Sequence, residues 1–151
     1  MIAPDISQAM SSPNRSMFVE LVIPIRTYDI DFAGIVSNIV YIRWLEDLRL
    51  AMLIQYYMPM SDLIRTGIAP VLIKTNIDYK NQLTIHDQAL GKMWIEKIGH
   101  VQFFLAGEIF NGEHLVAQAK QTVLFINLAT RRPIRIPAEL KQKCTAVLLK
   151  G

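Results

Sequence analysis

The sequence predicts an α+β domain, and three observations carry that expectation. Residues 39–56 contain neither glycine nor proline and repeat apolar side chains at helical spacing. From residue 71 onward, polar and apolar residues alternate in runs parted by short turn signals, the pattern of antiparallel strands. Helical and strand-like segments are segregated along the chain instead of alternating, so the sheet is mostly antiparallel and not assembled from parallel βαβ units.

In chain order, residues 18–26 alternate first. Val19, Leu21, Ile23 and Ile25 share one face and Glu20, Val22, Pro24 and Arg26 the other, which predicts a strand with an edge or bulge at Pro24. A turn containing Asp29, Asp31 and Ala33-Gly34 leads to the long helix. Its stripe of Tyr41, Leu45, Leu48 and Met52 is widened by Trp44, Ala51 and Ile54, so the helix is expected to be largely buried. Residues 58–67 read as a short second helix stopped by Gly67. Strands follow at 71–80, where Val71, Ile73, Thr75, Ile77 and Tyr79 share a face, and at 90–98 and 101–110 around a Gly99-His100 turn. Asn111-Gly112 is a hairpin signal leading into a strand at 115–128. Pro133 and Pro137 break the pattern before a terminal helix at 138–149. Five strands could curl around the one long helix, and their open edges favour association with a second copy.

A chain of 151 residues suffices for one domain with a real core and is too short for two ordinary ones. With 52% hydrophobic and 19% charged residues it is packed rather than disordered. The net charge of +3, with no basic run longer than Arg131-Arg132, argues against nucleic acid as a partner and suits a small anionic ligand better. The single cysteine, Cys144, excludes an intrachain disulfide and a Cys-rich zinc site, and makes the cytoplasm the expected compartment. Residues 1–16 lack a basic start followed by a long apolar run, so neither a signal peptide nor a membrane span is expected there. They read as a flexible tail, with residues 17–151 forming the domain.

The chemistry is expected between Arg26 and Arg49. A carboxylate beside the unsatisfied N–H groups of a helix start is stabilised as an anion, available as a nucleophile or as a base toward water, and the same N–H groups can polarise a carbonyl. Asp31 is placed for that role, although Asp29 or Asp31 could equally serve as a cap of the turn. Asn38 reads either as an N-cap or as a donor to a substrate oxygen. Glu46, two turns into the helix, is ordinarily solvated or paired with Arg43 or Arg49. His86, His100 and His114 show no metal-binding spacing, so no metal is expected, and no serine-hydrolase or phosphate-loop motif is present.

The run from Asp31 through Gly34, Asn38, Tyr41 and Trp44 to Glu46 resembles the signature of hot-dog-fold acyl-CoA thioesterases of the 4-hydroxybenzoyl-CoA thioesterase-like group. The resemblance implies a five-stranded antiparallel sheet wrapped around the long helix and active sites at a subunit interface. It further implies a homodimer as the basic unit and a homotetramer built from it. It makes Asp31 the catalytic carboxylate, Asn38 the residue whose backbone N–H holds the thioester oxygen, and Gly34, Ile35, Val36, Ser37, Tyr41 and Trp44 the substrate-binding surroundings. The Asn38 and Glu46 pairing is also similar to plant acyl-acyl-carrier-protein thioesterases, which raises Glu46 to a catalytic candidate. The implied substrate is an acyl-CoA or acyl-carrier-protein thioester, with no cofactor. The chain departs from many relatives in having no histidine at the helix entrance. A non-catalytic acyl-thioester-binding subunit is the alternative, and a dehydratase is disfavoured because it needs such a histidine.

Overall fold

A computed structural model describes residues 15–150, with side chains placed through Cys144. Of the expected tail, residues 1–14 lie outside the described residues. Ser16 instead opens the first strand and is fully buried.

The order is β1 (Ser16–Ile23), a 3-10 turn (Thr27–Asp29), α1 (Asn38–Tyr56), α2 (Met60–Arg65), β2 (Ile68–Tyr79), β3 (Ala89–Ile98), β4 (Gln102–Asn111), β5 (His114–Asn127), β6 (Pro133–Ile134) and α3 (Ala138–Lys150). The five long strands form one antiparallel sheet in the order β1-β3-β4-β5-β2. With α1 laid across its concave face, this is the hot-dog fold. A sixth strand, β6, pairs with Phe125 and Ile126 of β5 and was not expected, because Pro133 reads as a breaker. Proline cannot donate to a ladder but is tolerated on an edge. A tight turn delivers it there, with Arg131 at φ 62 and the Asn127 N–H donating to the Arg132 carbonyl at 2.9 Å.

Small residues let α1 settle on the sheet. A Cβ on Gly107 would stand 2.8 Å from Leu45 Cδ2, and one on Gly91 would stand 2.9 Å from Ile23 Cδ1 and 3.0 Å from Leu48 Cδ1. The two glycines therefore create the depth into which Leu45 and Leu48 pack, and truncating a leucine buried so completely costs about 2–5 kcal/mol. The buried stripe of α1 is Val40, Tyr41, Trp44, Leu45, Leu48 and Met52. Ile54, expected to widen it, is exposed, as are Ile39 and Ile42. The helix lies mainly against β1 and β3 and also meets α2, while Leu45 reaches Gly107 of β4 and Arg49 reaches Gln121 of β5.

Phase along β2 is changed by a bulge between Leu72 and Lys74. Straight alternation would put Leu72 opposite to Thr75, Ile77 and Tyr79. One extra residue shifts the pleat, so Leu72 turns inward with them. One side of β2 pairs with β5; among the described residues its other side pairs with nothing. On the outer face of the sheet, cations cover the aromatic rings. Arg15 lies 3.8 Å from the Trp94 ring centroid and pairs with Glu108 at 3.5 Å, and Lys92 lies 4.8 Å from that of Phe110. Among the described residues, no helix is long and apolar enough to cross a membrane.

Candidate active site

The two aspartates at the approach to α1 have separate jobs. Asp29 is buried, and its carboxylate accepts the Arg26 N–H at 2.8 Å while its own N–H donates to the Arg26 carbonyl at 3.0 Å, closing the 3-10 turn. It is a cap. Asp31 sits two residues on in a tighter turn, where its N–H donates to the Ile35 carbonyl at 2.8 Å and the Gly34 N–H returns to the Asp31 carbonyl at 3.0 Å. Gly34 occupies φ +82, the left-handed region such a turn requires and glycine supplies without strain. Asp31 Oδ1 accepts the Ala33 N–H at 2.8 Å, and Oδ2 accepts nothing among the described residues. One oxygen is anchored and the other is open. The N–H groups that meet this carboxylate thus belong to its own turn and not, as expected, to the helix start.

The turn is clamped to the body by backbone. Ile30 and Val36 form an antiparallel bridge, Val36 donates to the carbonyl of fully buried Leu83 at 2.8 Å, and Ser37 donates to the Asp29 carbonyl at 2.9 Å. That last bond holds Ser37 extended at the N-cap position, so Asn38 becomes the first helical residue instead of the cap. Val40 N–H bonds back to the Ser37 carbonyl at 3.0 Å, which leaves the N–H groups of Asn38 and Ile39 without an intrahelical acceptor. Tyr79 of β2 ties this end down by donating its hydroxyl to the Asn38 carbonyl at 2.7 Å. Its ring meets Tyr41 edge-on at 5.3 Å, and Tyr41 meets Trp44 the same way at 5.1 Å. Burial, then the neighbouring Tyr79 and Asp87, push the Tyr41 hydroxyl up to about 12.

Farther along α1 a chamber of about 200 Å³ opens between the helix and the β2 side of the sheet. Leu50, Leu53, Leu72, Phe103, Leu105 and Val123 line it, and Met17 and Leu140 help enclose it. Glu46 and Arg49 are its charged residues. Arg49 Nη1 donates to Gln121 Oε1 at 2.7 Å, and Gln121 Nε2 donates to Thr75 Oγ1 at 3.1 Å. Burial lowers the guanidinium pKa, opposed by the nearby Glu46 charge.

Residues 25–144 match the family model of the Thioesterase-like superfamily. The chain belongs to that superfamily. Its fold is similar to that of a DHNA-CoA thioesterase from Staphylococcus aureus, with a TM-score of 0.82 and 23% identity over 89% of this chain and 95% of that one. A 1,4-dihydroxy-2-naphthoyl-CoA thioesterase from Synechocystis aligns with a TM-score of 0.77 and 20% identity over 85% and 96% of the two chains. A hypothetical protein from Staphylococcus aureus in complex with CoA aligns with a TM-score of 0.81 and 12% identity over 89% and 86%.

Within this thioesterase-like domain the structure brings Asp31, Gly34, Ile35, Val36, Ser37 and Asn38 together in one turn and helix start. Tyr41 and Trp44 are buried in the core beneath it and do not line the chamber. Glu46 is not part of that turn: eight residues of helical rise put it about 12 Å along the axis from Asn38. It forms no ion pair with Arg43 or Arg49 and lines both the chamber and a second hollow beside Arg26, Tyr28 and Asp29. Sequence reasoning missed Leu83, Gln121 and Arg49 as site-builders. A glutamine in phase with the inward-facing Ala117, Ala119 and Val123 of a predicted strand was the one available signal.

Proposed function

We propose that this domain hydrolyses an acyl-CoA or acyl-carrier-protein thioester to free carboxylic acid and thiol. The observation that carries this reading is the open Oδ2 of Asp31, held by its anchored partner oxygen in a rigid turn at the entrance to α1. The thioester oxygen accepts from the free N–H of Asn38, which stabilises the negative charge that develops there. Asp31 either attacks the carbonyl carbon or takes a proton from an attacking water. In the first route a carbon–oxygen bond to Asp31 replaces the carbon–sulfur bond. The thiolate leaves and is protonated, and water then cleaves the mixed anhydride. Membership of the superfamily and the CoA thioesters named for the similar structures support the substrate class.

The working unit in this reading is a homodimer joined along β2, further paired into a tetramer. Supporting it, the unpaired edge of β2 exposes Ile73, and Tyr79 links the end of that strand to Asn38, so a copy added there would approach the helix start. The buried Cys144 suits a reducing, cytoplasmic setting.

Release of free thiol from aromatic, short-chain and long-chain acyl thioesters tests the reading. Asp31→Asn is expected to lower turnover about a hundredfold or more. Equal rates would remove Asp31 from the mechanism, and no release from any thioester would leave a binding subunit. A monomer by light scattering would contradict the interface arrangement.

A further inference from the structure

Hydrolysis at Asp31 leaves one feature unused: a half-buried cation at a largely apolar chamber. Arg49 has five N–H donors, and its bonded partner is Gln121, a neutral and almost wholly buried side chain. Among the described residues no carboxylate lies within ion-pair distance of it. Glu46, one turn earlier, is exposed; it lines the same chamber and its charge acts on Arg49 from beyond ion-pair distance. A half-buried guanidinium held in place by an amide, with donors to spare, is poised for an acceptor that carries charge. The surfaces beside it, Leu50, Leu53, Leu72, Phe103, Leu105 and Val123, are apolar and suit hydrocarbon.

We propose that this chamber is a binding site for an amphipathic carboxylic acid, its hydrocarbon among these side chains and its carboxylate on Arg49. The volume of about 200 Å³ exceeds the roughly 150 Å³ of an apolar cavity that accepts benzene, so an aromatic ring with a short linker fits. Within one chain the site is separate from the catalytic turn. Thr75, at the Arg49 network, and Tyr79, at the helix start, are four residues apart on β2, about 13 Å along the strand. The proposal needs neither Asp31 nor hydrolysis.

The test is calorimetric titration of the full chain with 3-phenylpropanoate and with 3-phenylpropan-1-ol, which has the same body and no charge. The acid is expected to bind about tenfold or more tightly than the alcohol. Arg49→Met is expected to erase that advantage, Leu53→Trp to weaken both ligands by filling the chamber, and Asp31→Asn to change neither. Equal affinity for acid and alcohol in the unaltered chain, or binding of neither, overturns the proposal without recourse to any variant. So does an advantage that survives Arg49→Met or disappears in Asp31→Asn. If Arg49→Met instead splits an oligomer without altering the preference for the acid, the cation serves a carboxylate of a second copy.

Discussion

The start of α1 and its middle, about 16 Å apart along one helix axis between Asn38 and Arg49, are built by opposite means. At the start, the positions of Asp31 and Asn38 follow mainly from backbone bonds made within residues 26–40, plus clamps to Leu83 and Tyr79. In the middle, the chamber is a meeting of side chains from β1, α1, α2, β2, β3, β4, β5 and α3, with Arg49 held by Gln121 seventy-two positions later. A site made from local backbone survives changes in neighbouring side chains. A site made from distant side chains changes with each of them, which is where specificity can vary on a constant fold.

The largest effect should separate the two aspartates. Asp31→Asn is expected to raise the barrier by about 3 kcal/mol, the hundredfold loss above, while the thermal midpoint stays put. Asp29→Ala should instead lose about 1 kcal/mol of stability with its cap. Thiol release and thermal unfolding of both variants check this, and a stable but inactive Asp29→Ala would reverse the assignment.

Next comes Gln121→Leu, which strips Arg49 of its buried acceptor. Urea unfolding is expected to show a loss of about 2–3 kcal/mol, more than a surface glutamine would give. No loss would mean that the guanidinium finds another partner or water.

A third effect concerns pH. Tyr41 is held neutral in the fold up to about 12, whereas a tyrosine hydroxyl ordinarily titrates at 10.0. Its contribution is therefore intact below pH 10 and is lost as the pH rises toward 12, by on the order of 2 kcal/mol, because the unfolded chain ionises first. Tyr41→Phe should flatten the decline, leaving the smaller slope of Tyr56, Tyr57 and Tyr79, which burial also raises. An unaltered slope would show that the ring is better hydrated than its packing implies.

The smallest expected change is Glu46→Gln. Because Glu46 stands at the chamber and not at the turn, turnover should stay within about threefold, under 1 kcal/mol. A loss approaching that of Asp31→Asn would bring Glu46 into the chemistry and join the two regions into one site.

What the sequence by itself determined is local and periodic. The long helix, the Gly99-His100 and Asn111-Gly112 turns and the approach with Asp31, Gly34 and Asn38 were legible because each is specified by neighbours a few residues apart. The signature also reached the fold. Tertiary structure alone decided the rest. The bulge at Ile73 reversed the phase of β2 and brought Leu72 inward, and β6 formed where proline had suggested a break. Ser37 became the N-cap and Asn38 the first helical residue because Ser37 bonds back to the Asp29 carbonyl. Arg49 met Gln121 only because α1 packs on the sheet and brings together residues seventy-two positions apart. Side-chain meetings across such sequence distances depend on register and packing depth, which no local pattern encodes.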